Sequence, residues 1–124
     1  FKMWFRTLPK SIIPRDMVTA FLNQLLLDYG LTPREIADLI TYWLHRFESG
    51  IHVAFVFLPS SEFEKVAQLS FSHAPISVIR VFFLFQVLHT GSFIDNHSNK
   101  KPEVIRHSMK NMYHVVEWGA MELF

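Results

Sequence analysis

Seven histidines, eleven acidic residues and no cysteine set the range of chemistry open to this 124-residue chain. Without cysteine there is no disulfide, no thiol nucleophile and no thiolate metal site, and the absence of disulfides by itself assigns no compartment. A zinc site needs imidazoles that converge, yet His45, His52, His73, His89, His97, His107 and His114 lie seven or more positions apart and none forms His-x-x-x-His. No metal or cofactor is therefore expected. A serine nucleophile would call for a Gly-x-Ser-x-Gly elbow and a nucleotide for a Gly-rich loop, and the sequence has neither. The carboxylate pairs Glu62 with Glu64 and Glu117 with Glu122 have the residue types of an acid–base couple. Solvated surface acids are the better reading of both pairs, so no catalytic residue is assigned.

The side chains with the best case for contacting a ligand are Tyr42, Trp43, Arg80, Glu117 and Trp118. Arg80 and Glu117 are opposite charges in two apolar stretches, and if those stretches are neighbouring strands the two pair across the ladder. Aromatic faces next to fixed polar groups suit a sugar or a peptide. On the plainer reading Trp43 is core, Arg80 is a structural ion-pair partner and Trp118 closes the sheet.

These residues need a scaffold, and its centre is Ser77 to Leu88, the longest run of β-branched and aromatic residues in the chain. With a period of two, Ile79, Val81, Phe83, Phe85 and Val87 form a wholly apolar face. Val78, Arg80, Phe82, Leu84, Gln86 and Leu88 form the other. So apolar a strand belongs in the middle of a sheet, since at an edge it would template aggregation. Ile51 to Leu58, bounded by Gly50 and Pro59, reads as a second buried strand. Asn111 to Trp118 alternates as a third, and the alternation of Phe1 to Leu8 suits a short half-buried fourth.

Two helices separate the first strand from the second. Val18, Phe21, Leu22, Leu25, Leu26 and Tyr29 follow helical spacing between Pro14 and a stop at Gly30. The next helix opens with Thr32 as N-cap, Pro33 in the first position, Glu35 closing a capping box and Leu31 against Ile36 as a staple. Its apolar stripe is Ile36, Leu39, Ile40, Trp43, Leu44 and Phe47, and Gly50 ends it. So short a link makes an αα-hairpin. A short helix follows Pro59, with Phe63, Val66 and Ala67 turned inward. Ser70 to Pro75 leads into the central strand, and residues 89–108 form a long polar loop. The expected fold is α+β: an antiparallel sheet of about four strands with the helical hairpin packed on one face, against the all-apolar side of the central strand. The other face, with Arg80 and Gln86, is expected to meet polar partners or water at its ends; if it is covered as well, the cover comes from a portion of the protein outside this chain.

Half of the residues are apolar and 15% aromatic, which argues against disorder, and 124 residues make one domain with one core. A net charge of +1 gives no overall footprint for nucleic acid. Lys2, Arg6, Lys10 and Arg15 precede any acidic residue, and they read as a solvated strand face or a contact for an anionic partner. Arg80 and Gln86 interrupt the longest apolar run, so no transmembrane segment is expected.

Three stretches resemble the C-terminal region of a family of uncharacterised bacterial proteins with counterparts in some microbial eukaryotes. They are Gly-Leu-Thr-Pro-Arg-Glu-Ile-Ala-Asp-Leu-Ile-Thr-Tyr-Trp-Leu from Gly30 to Leu44, Ser-Val-Ile-Arg-Val-Phe from Ser77 to Phe82, and Val-Val-Glu-Trp-Gly from Val115 to Gly119. This chain departs from the family pattern at His45, where a proline is usual, at Ser77, near a position often held by aspartate, and at Ala120, where the family has a second glycine. Members commonly carry a β-rich segment upstream, so the resemblance implies that residues 1–124 are the C-terminal part of a longer chain. It carries no activity.

The expected function is a non-catalytic interaction or structural module, one part of a larger assembly or surface protein, whose partner is another protein or the remainder of its own chain. The alternative is a domain binding a carbohydrate or peptide near Tyr42, Trp43, Arg80, Glu117 and Trp118. A hydrolase using histidine and glutamate has the least support.

Overall fold

The structure, a computed structural model, describes residues 2–65, 68–70, 72, 77–89 and 114–124. Elements follow in the order α1 (Lys2–Thr7), β1 (Ser11–Pro14), a 3-10 turn (Arg15–Met17), α2 (Val18–Tyr29), α3 (Pro33–Phe47), β2 (His52–Phe57), α4 (Ser60–Glu64), β3 (Ser77–Leu88) and β4 (His114–Leu123). The strands form one sheet in the order β1-β2-β3-β4, an α+β arrangement. β2 lies antiparallel to β1 and to β3, whereas β4 runs parallel to β3. The sheet is thus mostly antiparallel, with one parallel pair where a uniformly antiparallel sheet was expected. Residues 89–108, read as a polar loop, lie outside the described residues apart from the exposed His89, as do Val66, Ala67 and most of Ser70 to Pro75.

The αα-hairpin forms as its punctuation dictates. Gly30 adopts φ 102°, a left-handed conformation that glycine takes without Cβ strain, and its N–H bonds back to Leu26 and Leu27. Two residues on, Thr32 Oγ1 accepts from Glu35 N–H at 3.2 Å while Thr32 N–H donates to Glu35 Oε1 at 2.7 Å, which closes the capping box. Leu31 and Ile36, the staple, are both buried. The helix ends at Phe47 rather than at Gly50.

The hairpin covers one face of the sheet. Ile79, Val81, Phe83, Phe85 and Val87 of β3 and Val53, Phe55 and Phe57 of β2 meet Leu22, Leu25 and Leu26 of α2 and Ile36, Leu39, Ile40 and Phe47 of α3 in one core. Its middle is aromatic: Phe47 lies edge-on to Phe55 and Phe85 at 5.5 and 5.0 Å, and Phe57 stacks on Phe83 at 5.0 Å. Tyr29 stacks on Phe57 at 6.1 Å. Burial there pushes the Tyr29 phenol up to about 12 from its ordinary 10.0.

The other face is covered from within the chain too. Val56 and Leu84, partners across β2 and β3, are 0% exposed there. α1 lays Phe5 on Ile12, Ala54 and Leu88, and α4 stacks Phe63 on Phe82 at 4.7 Å. Cover from outside the chain is therefore not needed for these positions. Residues Lys2–Thr7 are helical where a strand was expected. Six residues are too few to fix a period, and i→i−4 bonds from Leu8 N–H to Trp4 O and from Thr7 Oγ1 to Met3 O close the turns. The first strand is instead Ser11–Pro14. Its Pro14 sits at the end of an edge strand, where a missing N–H is tolerated, rather than opening α2.

Candidate functional site

Tyr42, Trp43, Arg80, Glu117 and Trp118 fall into two groups on opposite faces of the sheet. Arg80 and Glu117 are direct partners in the β3–β4 register, on the face away from the αα-hairpin. Arg80 Nε donates to Glu117 Oε1 at 3.0 Å and Arg80 Nη1 donates to Glu64 Oε2 at 2.7 Å. The Arg80 guanidinium lies 4.3 Å from the centroid of the Phe63 ring, and that ring stacks on Phe82. Arg80 is 5% exposed in its side chain, while Glu64 and Glu117 are 50% and 41% exposed. The charge is thus held beneath α4, which supplies both Glu64 and the Phe63 ring to it. Gly119, opposite Phe82 in the register, leaves the ring its space: a Cβ there would meet Phe82 Cδ2 at 3.2 Å.

On the hairpin face, Tyr42 stands edge-on to Trp43 at 5.1 Å and to Trp118 at 6.2 Å. Trp43 in turn lies edge-on to Phe85 at 5.2 Å. Tyr42 is 64% exposed, whereas Trp43 and Trp118 are half-buried against the core. One turn further along α3, Arg46 clasps Glu122 of β4 through two bonds, Nε to Oε1 at 2.8 Å and Nη2 to Oε2 at 2.7 Å. The bond and the charge of Glu122 raise the Arg46 pKa further above its ordinary value. Tyr42 with Trp118 and Arg46 with Glu122 are thus two clamps between α3 and the edge strand.

A single pocket lined by all five residues does not form, because neighbours on a strand point to opposite faces and Glu117 and Trp118 are neighbours. The four acids offered as acid–base pairs are engaged in ion pairs rather than simply solvated: Glu62 with Lys65, Glu64 and Glu117 with Arg80, and Glu122 with Arg46. Sequence reasoning missed Phe63, Glu64 and Arg46 as partners. Arg46 and Glu122 stand 76 positions apart, and no local pattern links them. Two enclosed ring nitrogens, Trp43 Nε1 and His52 Nδ1, have no hydrogen-bond partner among the described residues. Among the described residues no three His, Asp or Glu side chains are grouped to hold a metal ion, and no helix is long and apolar enough to cross a membrane. No protein-family model, no curated protein and no solved structure matches this chain.

Proposed function

We propose that this chain is a non-catalytic interaction module and that it makes its contact by adding a strand to the outer edge of β4. The observation that carries this reading is the character of that edge. β4 has ten residues, His-Val-Val-Glu-Trp-Gly-Ala-Met-Glu-Leu, with no proline and no lysine, and among the described residues it has a strand on one side only. The opposite edge, β1, has four residues and ends in Pro14. Edge strands are ordinarily guarded by charges that an added strand would bury unpaired. On β4 the two acids, Glu117 and Glu122, are each drawn inward to an arginine of the same chain. Strand addition therefore leaves no carboxylate without a partner, and main-chain bonds supply the affinity.

Hydrogen–deuterium exchange on the dilute protein tests the edge. In a parallel pair alternate N–H groups of β4 point away from β3. Half of the β4 amides should exchange quickly while those of β3 stay protected. Uniform protection of β4 would mean that its edge is already occupied, and the reading would fail.

The exposure of Tyr42 beside Trp43 and Trp118 favours a second reading, a carbohydrate or peptide stacked on that trio. Arg80 and Glu117 take no part in it, being on the other face. Quenching or a shift of tryptophan fluorescence on titration with oligosaccharides, lost in Tyr42→Ala, supports it; an unchanged spectrum counts against it.

A further inference from the structure

We infer that the strand taken up by β4 is β4 of a second copy of this chain, paired antiparallel about a two-fold axis through Gly119; this rests on β4 being the contact edge. A two-fold axis normal to the sheet reverses strand direction and keeps the αα-hairpins of both copies on one side. It also requires paired residues to share a face, so only registers that match like faces are allowed.

Centring on Gly119 satisfies size and charge together. On the hairpin face Trp118 then lies opposite Ala120 of the second copy and the reverse, a large side chain against a small one. Val116 lies opposite Glu122, whose carboxylate is already held by Arg46. On the other face Val115 lies opposite Leu123, and Met121 opposite Glu117. No acid opposes an acid, and the residue on the axis, which must face its own copy, is the smallest. Centring on Trp118 instead would set two indoles directly against one another. The Gly119 register also gives Tyr42 a role: 64% exposed and edge-on to Trp118, it stands at the border that the second copy would cover. The product is a continuous eight-stranded sheet in which the edge of β4 is closed. Closure by a two-fold axis also prevents open-ended growth.

Met121 provides a test of the register. It is half-buried, lies on the non-hairpin face and stands four positions along its own strand from Glu117, but opposite Glu117 of the second copy. Arg80 faces both Glu64 and Glu117, so that position keeps negative character. Met121→Glu should weaken association by about tenfold or more. Met121→Lys, which also puts a charge at that position, should retain or tighten it. The measurement is molar mass by light scattering across the micromolar range, with circular dichroism to show that both variants fold. The expected result for the unaltered protein is a species of twice 14.6 kDa whose β4 amides become protected as it forms. A monomer at every concentration with fast β4 exchange overturns the dimer and leaves the contact-edge reading standing. Uniform β4 protection in the dilute monomer removes both. A dimer that responds identically to the two Met121 variants overturns the inference, because association then uses another surface or register.

Discussion

Arg80 is where the chemistry of single residues is most exacting. A buried guanidinium must have its charge met, and two carboxylates and an aromatic face do so within one side chain's reach. The tie to Glu117 was legible because Arg80 is the lone charge of β3, and a cation in so apolar a strand needs an opposite charge at the same height of the neighbouring strand. The grouping of both with Trp118 was not sound, since it followed residue chemistry and overlooked the period of two that puts Glu117 and Trp118 on opposite faces. Arg46 carried no signal at all: outside the apolar stripe of α3, it reads as any solvated cation until the far end of the chain brings Glu122 to it. If the Arg80 pair is structural, removing one carboxylate has a measurable cost. Glu117→Gln should lower stability by about 1 kcal/mol, the moderate figure reflecting its exposure, and Glu62→Gln by less than about 0.5 kcal/mol, because the Glu62–Lys65 pair lies at the surface. Equal losses in urea denaturation would show that the Arg80 pair ties nothing together.

At the scale of elements, the parts with strong punctuation were readable and the short or long-range parts were not. Thr32, Pro33 and Glu35 dictate where α3 begins whatever packs on it, and β3 runs over Ser77–Leu88 because no residue within it interrupts a strand. Lys2–Thr7 is too short for periodicity to choose between helix and strand, and Phe5 settles it by packing on Ile12, Ala54 and Leu88. The direction of β4 had a usable signal, since residues 89–113 separate it from β3 and a parallel crossover needs only about a dozen. Gly50 presents a different case. It reads as a helix stop, but α3 has already ended, and what requires glycine is the close passage of the chain beside β3: a Cβ would stand 2.4 Å from Val87 Cγ1 and 2.7 Å from the Leu88 carbonyl oxygen. Backbone cannot yield as a ring edge can. Gly50→Ala should therefore destabilise by about 1–3 kcal/mol, and Gly119→Ala, whose Cβ would meet only the Phe82 ring, by clearly less. Thermal melts of the two variants check the order, and a Gly50→Ala protein as stable as the parent would refute the close approach.

For the molecule as a whole, the question is whether its stability is built on one face of the sheet or two. The alternation of β3 suggested one core beneath the αα-hairpin and an outer face meeting polar groups or water, because Arg80 and Gln86 make that side of β3 look half-polar. The polar pair occupies only part of the strand. Between them Leu84 meets Val56 with no exposed surface, and α1 and α4, the two helices least legible in the sequence, close over Leu88 and Phe82 at either side. Three layers therefore share one sheet, and its middle strands are desolvated on both faces by the same chain. Truncating a fully buried leucine costs about 2–5 kcal/mol through lost burial and the cavity left behind. Leu84→Ala should fall in that range and match Leu22→Ala, which opens the same kind of void beneath the hairpin. Leu27→Ala, at a 48% exposed position, should cost less than about 0.5 kcal/mol. Equilibrium denaturation of the isolated protein distinguishes the two architectures: a Leu84→Ala cost near that of Leu27→Ala would mean that the outer face is covered only in complex with a partner, and that α1 and α4 are not its roof.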